Sequence, residues 1–416
     1  MFDNINGRLA KDAIFTIRHS WLHSDGNEYA YEGKELKNYL KNRDNDINKK
    51  KKVIGSILAG AIGDALGYKI EFKRNVKSDE VTDFDDTGII SDDTQMTLFT
   101  AMALIYKDIV RDATYKDVFY NSYLDWFDTQ NNKKSEGRIS NLNKIAELNV
   151  CRAPGNTCLS ALGSGNIGTV ENPINNSKGC GAIMRIAPIG LYIDNPVEAG
   201  KVAITASAIT HGNILGYTSS CILAVLLNLI LNNPKKPLKK LVYKSIKIFK
   251  KEYSSIQQSE EIKYMLKLLS KAIHLSGKNI NDQTAINMLG EGWVAEETLA
   301  IAIYSCLKHS NNIKDTLICA INHDGDSDST GAVAGNIIGA YLGLENIPEE
   351  YTKKLELNNL IITIAGYISK DLNFLKNSNN ESSCLFPGKL EKYKKENKNS
   401  NNDISLEEIK NAINNK

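Results

Sequence analysis

Two acidic segments contain the residues of this sequence that are best suited to do chemistry. They are Ser91-Asp92-Asp93-Thr94 and, much later in the chain, Asp326-Ser327-Asp328-Ser329-Thr330. Each segment opens a stretch with the periodicity of a helix. If the fold brings their carboxylates together, cations are needed to offset the repulsion between like charges. Clusters of carboxylate and hydroxyl oxygens suit Mg²⁺, Mn²⁺ or Ca²⁺ rather than Zn²⁺, so the pattern predicts a metal-assisted hydrolase.

Two simpler explanations apply to single segments. Ser91 is a good N-cap, and acidic residues are favoured in the first turn of a helix, so the first segment also fits plain helix capping. The second segment resembles the front of a calcium-binding EF-hand loop. That site is excluded, because the twelfth residue counted from Asp326 is Ile337, where the loop requires a glutamate.

The second segment also fits a Mg²⁺-dependent phosphohydrolase with an aspartate nucleophile. Such enzymes have two aspartates and a threonine at the spacing of Asp326, Asp328 and Thr330. Their nucleophile follows a buried apolar strand, whereas residues 322–325 are polar here. This alternative predicts a phosphorylated Asp326 and makes Asp92 and Asp93 dispensable.

The composition is that of a globular chain. Of 416 residues, 42% are hydrophobic and 24% are charged, which predicts a sizeable core, and the formal net charge of +2 favours no class of partner. The seven cysteines are scattered without a CxxC pair, a pattern typical of buried thiols in a reducing compartment. The N-terminus lacks the apolar segment of a secretory signal, and the apolar runs Val53–Ile62 and Ile222–Leu227 are too short or interrupted to span a bilayer. We therefore expect a cytoplasmic protein outside the membrane.

Composition divides the chain into three parts. Residues 1–52 are polar and form a predicted N-terminal extension. Residues 53–372 form the predicted folded domain, with Leu355–Leu375 as its last packed helix. Residues 373–416 are rich in asparagine and lysine and are predicted to form a tail, with a short helix at Ser405–Asn414.

Small residues recur at every fourth position in two segments. The first ridge contains Gly55, Ala59, Gly63 and Gly67, and the second contains Gly331, Gly335, Gly339 and Gly343. Glycine costs about 1 kcal/mol relative to alanine inside a helix, so such ridges indicate very close packing of backbones. A membrane dimer motif fits less well, because the second segment is short and contains Asn336. We expect the two helices to pack at the centre of the molecule and to hold the acidic segments together.

The remainder of the domain is also predicted to be helical. Alternating strand patterns and hairpin turns are scarce, so the predicted fold class is all-α. Helical patterns cover Thr94–Tyr106, Asp117–Phe127, Val197–Thr210, Thr218–Leu231 and Val294–Leu307. Glycine-rich loops interrupt them at Pro154–Gly168 and Lys178–Gly181.

Five segments follow one another in an order typical of one enzyme family. They are GSILAGAIGDALGYKIEF (55–72), SDDTQMTLFTAMAL (91–104), PGNTCLSAL (154–162), KGCGAIMRIAPIGLY (178–192) with ITHG (209–212), and GWVAEETLAIAIY (292–304) leading to INHDGDSDSTGAVAGNIIGAYLG (321–343). In this order they resemble the ADP-ribosylglycohydrolase family. The resemblance implies a compact, orthogonal multi-helix domain. It also implies two divalent cations, Mg²⁺ or Mn²⁺, in a binuclear site at the centre of the domain, at the bottom of an ADP-ribose cleft.

The resemblance implies roles for individual residues of the acidic segments. The implied metal ligands are Ser91, Asp92, Asp93, Asp326, Asp328 and Ser329. Ser91 and Ser329 stand where the family often has threonine, and a serine hydroxyl offers the same oxygen. Glu71, Asp92 and Asp328 are the candidate catalytic residues, acting as general base or as proton shuttle. Glu71 also fits a surface carboxylate at the end of a helix.

The same resemblance assigns the ADP-ribose site to the glycine-rich loops. The implied substrate contacts are Gly155, Asn156, Thr157, Gly179, Cys180, Gly181, Met184 and His211. Glycines allow backbone N–H groups to approach phosphates, because no Cβ blocks the way. Arg185 fits a phosphate contact or a structural ion pair equally well, and a single histidine such as His211 also fits a packed core residue.

The implied function is the removal of ADP-ribose from an ADP-ribosylated protein, most simply from arginine. No nucleic-acid partner is expected. An alternative is an immunity protein that neutralises an ADP-ribosylating toxin, by hydrolysis or by occluding its active site with the N-terminal extension. Trp21, Tyr29 and Tyr31 are the candidate anchors of that extension. An ordinary helix packed on the domain is the simpler explanation of the same residues.

Overall fold

The computed structural model describes residues 33–72, 81–110, 112–133, 136–256 and 259–369. The chain divides into two compact units, residues 1–48 and 49–416. In the first unit the described residues are 33–48. The candidate anchors Trp21, Tyr29 and Tyr31, the predicted tail and the predicted helix at Ser405–Asn414 lie outside the described residues. The predicted domain boundaries therefore stay predictions.

The described residues form fifteen α-helices and no strand, which confirms the all-α prediction. In chain order they are α1 (Gly33–Tyr68), α2 (Asp92–Ile109), α3 (Tyr115–Gln130), α4 (Asn156–Gly163), α5 (Ala187–Tyr192), α6 (Pro196–Ala208), α7 (Ile214–Asn232), α8 (Leu238–Glu252), α9 (Glu260–Leu275), α10 (Asp282–Asn287), α11 (Ala295–Lys308), α12 (Ile313–Ile321), α13 (Ser327–Leu342), α14 (Glu349–Lys354) and α15 (Asn358–Ile368). The predicted start of the last helix at Leu355 is wrong, because Leu357 has a left-handed backbone (φ 56°) that separates α14 from α15.

The two ridges of small residues pack against each other, as predicted. A Cβ added to Gly63 would lie 2.1 Å from the carbonyl oxygen of Gly331, and one added to Gly335 would lie 2.1 Å from that of Ala59. Contacts at the two ends of the pair join Gly55 with Gly339 and Gly67 with Ser327. Positions that ascend along α1 therefore face positions that descend along α13, so the helices are antiparallel. This close approach brings the end of α1 next to the start of α13, where the second acidic segment begins.

Helix α7 is the apolar centre of the fold. It has 19 residues and is long and apolar enough to cross a membrane by length and composition, but 89% of that stretch is buried inside the protein. The sequence predicts that the apolar run Ile222–Leu227 is too short or interrupted to span a bilayer. The helix that contains this run is longer than the run itself, because it extends well beyond it on both sides. A buried core helix can be as long and as apolar as a membrane span. The burial of α7 against other helices is typical of such a core helix.

Candidate active site

The start of α2 is fixed by a buried carboxylate from α1. The backbone N–H of Ser91 donates to both oxygens of Asp64, at 3.0 and 3.1 Å, and the N–H of Thr94 donates to Asp64 Oδ2 at 3.0 Å. The Thr94 hydroxyl donates to the same oxygen. Ser91 is the N-cap of α2, as predicted, because its Oγ accepts from the Asp93 N–H at 3.2 Å. Asp64 thus sets the position from which Asp92 and Asp93 project.

The start of α13 is fixed by its own carboxylates and by a loop. Asp326 is the N-cap and accepts from the Ser329 N–H at 3.1 Å, while Asp328 Oδ1 accepts from the same N–H at 2.8 Å. The Asp326 N–H donates to the carbonyl oxygen of Glu291 at 2.8 Å. The second acidic segment therefore begins a helix, as predicted. Since an N-terminus attracts negative charge, both α2 and α13 favour anionic residues at this place.

The structure gathers six carboxylates, which we call the acidic cluster: Asp64, Glu71, Asp92, Asp93, Asp326 and Asp328. All but Glu71 are fully or almost fully buried. Burial raises the pKa of every member, and the charges of the neighbouring carboxylates raise most of them further. Burial raises the pKa of Asp64 to about 6 against the hydrogen bonds it accepts, and burial together with the charge of Asp326 raises the pKa of Glu71 to about 8. The cluster therefore resists holding all its charges without a counterion.

Two oxygens of the acidic cluster fit a cation. Asp93 Oδ2 and Glu71 Oε2 are buried and have no hydrogen-bond partner among the described residues. A buried carboxylate oxygen without a donor is costly unless a cation or a water fills the place. The side chains at the two helix starts offer mainly carboxylate and hydroxyl oxygens, with the thiol of Cys180 and the sulfur of Met184 close by. This donor set fits Mg²⁺ or Mn²⁺, with Ser91, Asp92, Asp93, Asp326, Asp328 and Ser329 as the residues that would hold the ions.

The two glycine-rich loops lie beside the acidic cluster. Gly155 caps α4, and its N–H donates to Asp92 Oδ2 at 3.4 Å, so this N–H faces a carboxylate in the structure. A Cβ at Gly155 would meet nothing within 4 Å, which leaves open space above the first loop. Asn156 is exposed, and the Thr157 hydroxyl lies 3.0 Å from the Ser177 hydroxyl. The first loop is therefore accessible to a ligand.

The second loop packs against a histidine. A Cβ at Gly179 would lie 3.3 Å from His211 Nε2, and one at Gly181 would lie 3.1 Å from the same ring. His211 is buried, and its Nδ1 lies 2.8 Å from Thr210 Oγ1. Burial, with the charge of Arg185 as a second cause, holds the pKa of His211 well below its usual range. The ring is therefore neutral near pH 7 and supports the loop as a packed residue.

Three further predicted positions have clear surroundings. Met184 is buried with its sulfur 3.9 Å from Ser329 Oγ, which places it beneath the acidic cluster and away from an open substrate surface. Cys180 lies beside Asp326, and burial raises the pKa of its thiol well above the usual value. Arg185 is fully buried, stacks on Tyr123 at 4.2 Å from the ring centroid, and has no carboxylate within ion-pairing distance among the described residues. Neither predicted role of Arg185 matches these contacts.

Two features of the site were not predicted from the sequence. Asp64 is one, although an acidic residue inside an apolar, glycine-rich segment was a visible signal. The other is the loop before α11, where Glu297 accepts from the N–H groups of Glu291 and Gly292 at 3.0 and 3.2 Å. Gly292 has a positive φ of 85°, which only glycine adopts easily, and the next residue, Trp293, is 41% exposed beside the second glycine-rich loop.

The chain is similar to known proteins. The ADP-ribosylglycohydrolase family matches residues 45–376. Human ADP-ribosylhydrolase ARH3 is 27% identical over 198 residues, which are 43% of this chain and 54% of that protein, so the chain spans about half the length of this relative. ADP-ribosylarginine hydrolase Tri1 from Pseudomonas putida (strain GB-1) is 25% identical over 319 residues, 75% of this chain and 76% of that protein.

A solved structure described as an ADP-ribosylglycohydrolase-related protein complex has the same fold. Its TM-score is 0.57, it covers 78% of this chain and 98% of its own, and it is 22% identical, so the likeness shows the fold alone. The names of the relatives describe hydrolases that act on ADP-ribosyl groups, the enzyme class that the sequence predicts. Because the family match covers most of the sequence, the chain belongs to the ADP-ribosylglycohydrolase family.

Proposed function

We propose that this protein is a hydrolase that releases ADP-ribose from ADP-ribosylated protein and depends on two divalent cations, Mg²⁺ or Mn²⁺. The observation that carries the proposal is the acidic cluster. It joins α1, α2 and α13 and leaves Asp93 Oδ2 and Glu71 Oε2 buried without partners. A site of this composition fits divalent cations better than any other ligand. Cations held there would orient ribose hydroxyls and make a water molecule more acidic.

The reaction breaks the bond between C1″ of ADP-ribose and the acceptor atom. The hydroxyl of a water molecule joins C1″, and its proton returns to the acceptor. Glu71 is the residue best placed to carry that proton, because it is the least buried member of the acidic cluster. Asp92 and Asp328 are more deeply buried and serve as ligands in this proposal.

The substrate would lie on the accessible side of the acidic cluster. Gly155, Asn156 and Thr157 form one wall, with open space above Gly155. In this proposal Gly179 and Trp293 would form a second wall, where the exposed indole offers a flat apolar face to a planar group. His211, Gly181, Cys180 and Met184 support this wall from behind.

Arginine is the proposed acceptor. The support is the relative from Pseudomonas putida, whose name describes an ADP-ribosylarginine hydrolase and which matches three quarters of each chain. The six free cysteines among the described residues, four of them buried, support the proposal that the protein works in a reducing compartment such as the cytoplasm. Neutralisation of an ADP-ribosylating toxin remains the alternative partner hypothesis, and its candidate anchors lie outside the described residues.

The test is the release of free ADP-ribose from an arginine-ADP-ribosylated protein, with Mg²⁺ and with EDTA. Release that needs Mg²⁺ supports both the activity and the acceptor. Release from a serine-ADP-ribosylated protein, with none from arginine, would keep the hydrolase and replace the acceptor. No release from either conjugate by protein that demonstrably binds Mg²⁺ would refute the proposed function.

A further inference from the structure

Three side chains of different chemistry that are not members of the acidic cluster meet where α10, α11 and α12 come together. Asp282 is the first residue of α10, His309 is the C-cap residue that follows α11, and Cys319 lies in α12. One ligand atom from each of them lies within 4.8 Å of the other two. We call this set the mixed cluster. It offers one oxygen, one nitrogen and one sulfur donor, whereas the acidic cluster offers oxygen almost alone.

Hydrogen bonds already orient the donors of the mixed cluster. His309 Nε2 lies 2.7 Å from Asp282 Oδ2, and the Tyr304 hydroxyl donates to the other oxygen, Asp282 Oδ1, at 2.6 Å. The thiol of Cys319 donates to Ser305 Oγ at 3.3 Å. Tyr304 therefore fixes the carboxylate with Oδ2 turned towards the histidine. Partners of this kind are what orient the ligands of metal sites in proteins.

The donor set matches one borderline-soft cation. Zn²⁺ binds cysteine sulfur at about 2.3 Å and histidine nitrogen or carboxylate oxygen at about 2.0 Å, so tetrahedral ligand atoms lie about 3.3–3.6 Å apart. The gap of 2.7 Å between His309 and Asp282 would have to widen by about half an ångström. A thiolate, a carboxylate and a neutral imidazole would together balance the double charge of the ion.

The surroundings leave the cluster partly open to solvent. The side chains of His309 and Asp282 are 27% and 31% exposed, whereas Cys319 is buried. The backbone of His309 is also held, because the Thr316 hydroxyl donates to its carbonyl oxygen at 2.9 Å. Burial raises the pKa of the Cys319 thiol, so binding of an ion would release a proton from it.

We propose that the mixed cluster binds one Zn²⁺ ion through Cys319 Sγ, His309 Nε2 and Asp282 Oδ2, with water as the fourth ligand. The ion would tie α10 to the ends of α11 and α12. Residues 288–294 follow α10 directly, and Glu291 within them accepts the hydrogen bond from Asp326. The zinc site is therefore a structural support for one side of the acidic cluster, and it takes no part in bond cleavage.

The test uses Co²⁺ as a coloured substitute for Zn²⁺ on the full chain, with excess Mg²⁺ present to occupy the acidic cluster. The wild type is expected to show a sulfur-to-cobalt charge-transfer band and the visible bands of tetrahedral Co²⁺ at one equivalent, and Zn²⁺ is expected to displace the Co²⁺. Cys319→Ser is expected to lose the charge-transfer band, and His309→Gln to weaken Co²⁺ binding at least about tenfold.

Two other cysteines serve as controls. Cys221→Ser alters a buried thiol of α7, and Cys180→Ser alters the thiol beside the acidic cluster; both are expected to keep the band. His309→Gln keeps the test valid if Cys319→Ser does not fold, because His309 is partly exposed. The proposal is overturned if the wild type shows no charge-transfer band, if Cys180→Ser removes it, or if Cys319→Ser and His309→Gln both keep it unchanged.

Discussion

The acidic cluster and the mixed cluster differ in how their polar atoms are satisfied. In the acidic cluster, Asp93 Oδ2 and Glu71 Oε2 are buried without a partner. In the mixed cluster, both oxygens of Asp282 have partners, Tyr304 and His309. The first set therefore needs a cation to hold all its charges, whereas the second is stable without one. Whether the mixed cluster holds an ion therefore depends only on the affinity of its three donor atoms for that ion.

The pKa values of the carboxylates are shifted in opposite directions in the two clusters, because the carboxylates have different hydrogen-bond partners. Burial and neighbouring carboxylates raise the pKa of Asp328 well above its usual value. For Asp282, burial also acts to raise the pKa, but hydrogen bonds from Tyr304 and His309 outweigh it and leave the pKa below the usual value. Like charges without donors resist ionisation, and a carboxylate between two donors favours it. Four measurements test the properties that set the acidic cluster apart.

The largest effect is expected from Asp93→Ala/Asp328→Ala. Release of ADP-ribose should fall at least about a hundredfold, since loss of groups that merely support metal ligands already costs 10–100-fold. In EDTA the double variant should unfold at the same temperature as the wild type or higher, because two repelling carboxylates are gone. The exposed pair Asp86→Asn/Asp112→Asn is the control. Retained Mg²⁺-dependent release would place the chemistry elsewhere.

A smaller effect is expected from Asp64→Asn. The amide keeps the size of the side chain but loses the charge and one of its two acceptor oxygens, so the start of α2 is held less firmly. We expect Mg²⁺ affinity to fall by about 10–100-fold, measured by titration calorimetry. Asp86→Asn, on an exposed residue, should bind like the wild type. Unchanged affinity in Asp64→Asn would mean that Asp64 only caps the helix.

Gly335→Ala tests the helix pair that holds the acidic cluster together. The new Cβ would lie 2.1 Å from the carbonyl oxygen of Ala59, so the helices must separate, and the free energy of unfolding should fall by about 1–3 kcal/mol. Gly277→Ala is the matched control, because its Cβ would approach nothing closer than 3.7 Å. Urea denaturation measures both. Equal stability of the two variants would contradict the close packing of α1 and α13.

The smallest effect is expected in the stability of metal-free protein between pH 5 and pH 8. The folded-state pKa values of Asp64 and Glu71 are raised to about 6 and about 8, so the folded protein holds protons that the unfolded chain has released. The contribution of Asp64 and Glu71 to the free energy of unfolding is therefore fully present below pH 4. It is lost as pH rises through those pKa values. The free energy of unfolding in EDTA is therefore expected to fall from pH 5 to pH 8.

Mg²⁺ should reverse this trend. A cation favours the ionised carboxylates, so its stabilising effect should grow as pH rises from 5 to 8. Thermal unfolding with EDTA and with Mg²⁺ at each pH measures both quantities. A stability that rises with pH in EDTA, or a Mg²⁺ effect that is the same at both ends, would show that the acidic cluster is not the metal site that we propose.

The all-α class, the close packing of the two glycine ridges and the helix starts at Ser91 and Asp326 could be predicted from local sequence. Glycines at every fourth position have one common explanation, and an N-cap needs only its own helix. Asp64 was not predicted, because its role depends on a contact with Ser91 and Thr94 from another helix. The surroundings of Met184, whose sulfur lies 3.9 Å from Ser329 Oγ, also could not be read from the sequence, since sequence gives no direction to a side chain in an irregular turn. Its predicted contact with substrate stays a prediction.

The sequence by itself determined which oxygens are available, which helices begin with them and which two helices can touch. Those properties follow from residue type and spacing along one element. Only the tertiary structure decided that six carboxylates share one buried place, that two of their oxygens lack partners, and that Asp282, His309 and Cys319 meet at all. Burial and distance between separate elements set these properties, because electrostatic and ligand geometry depend on positions in space and not on order in the chain.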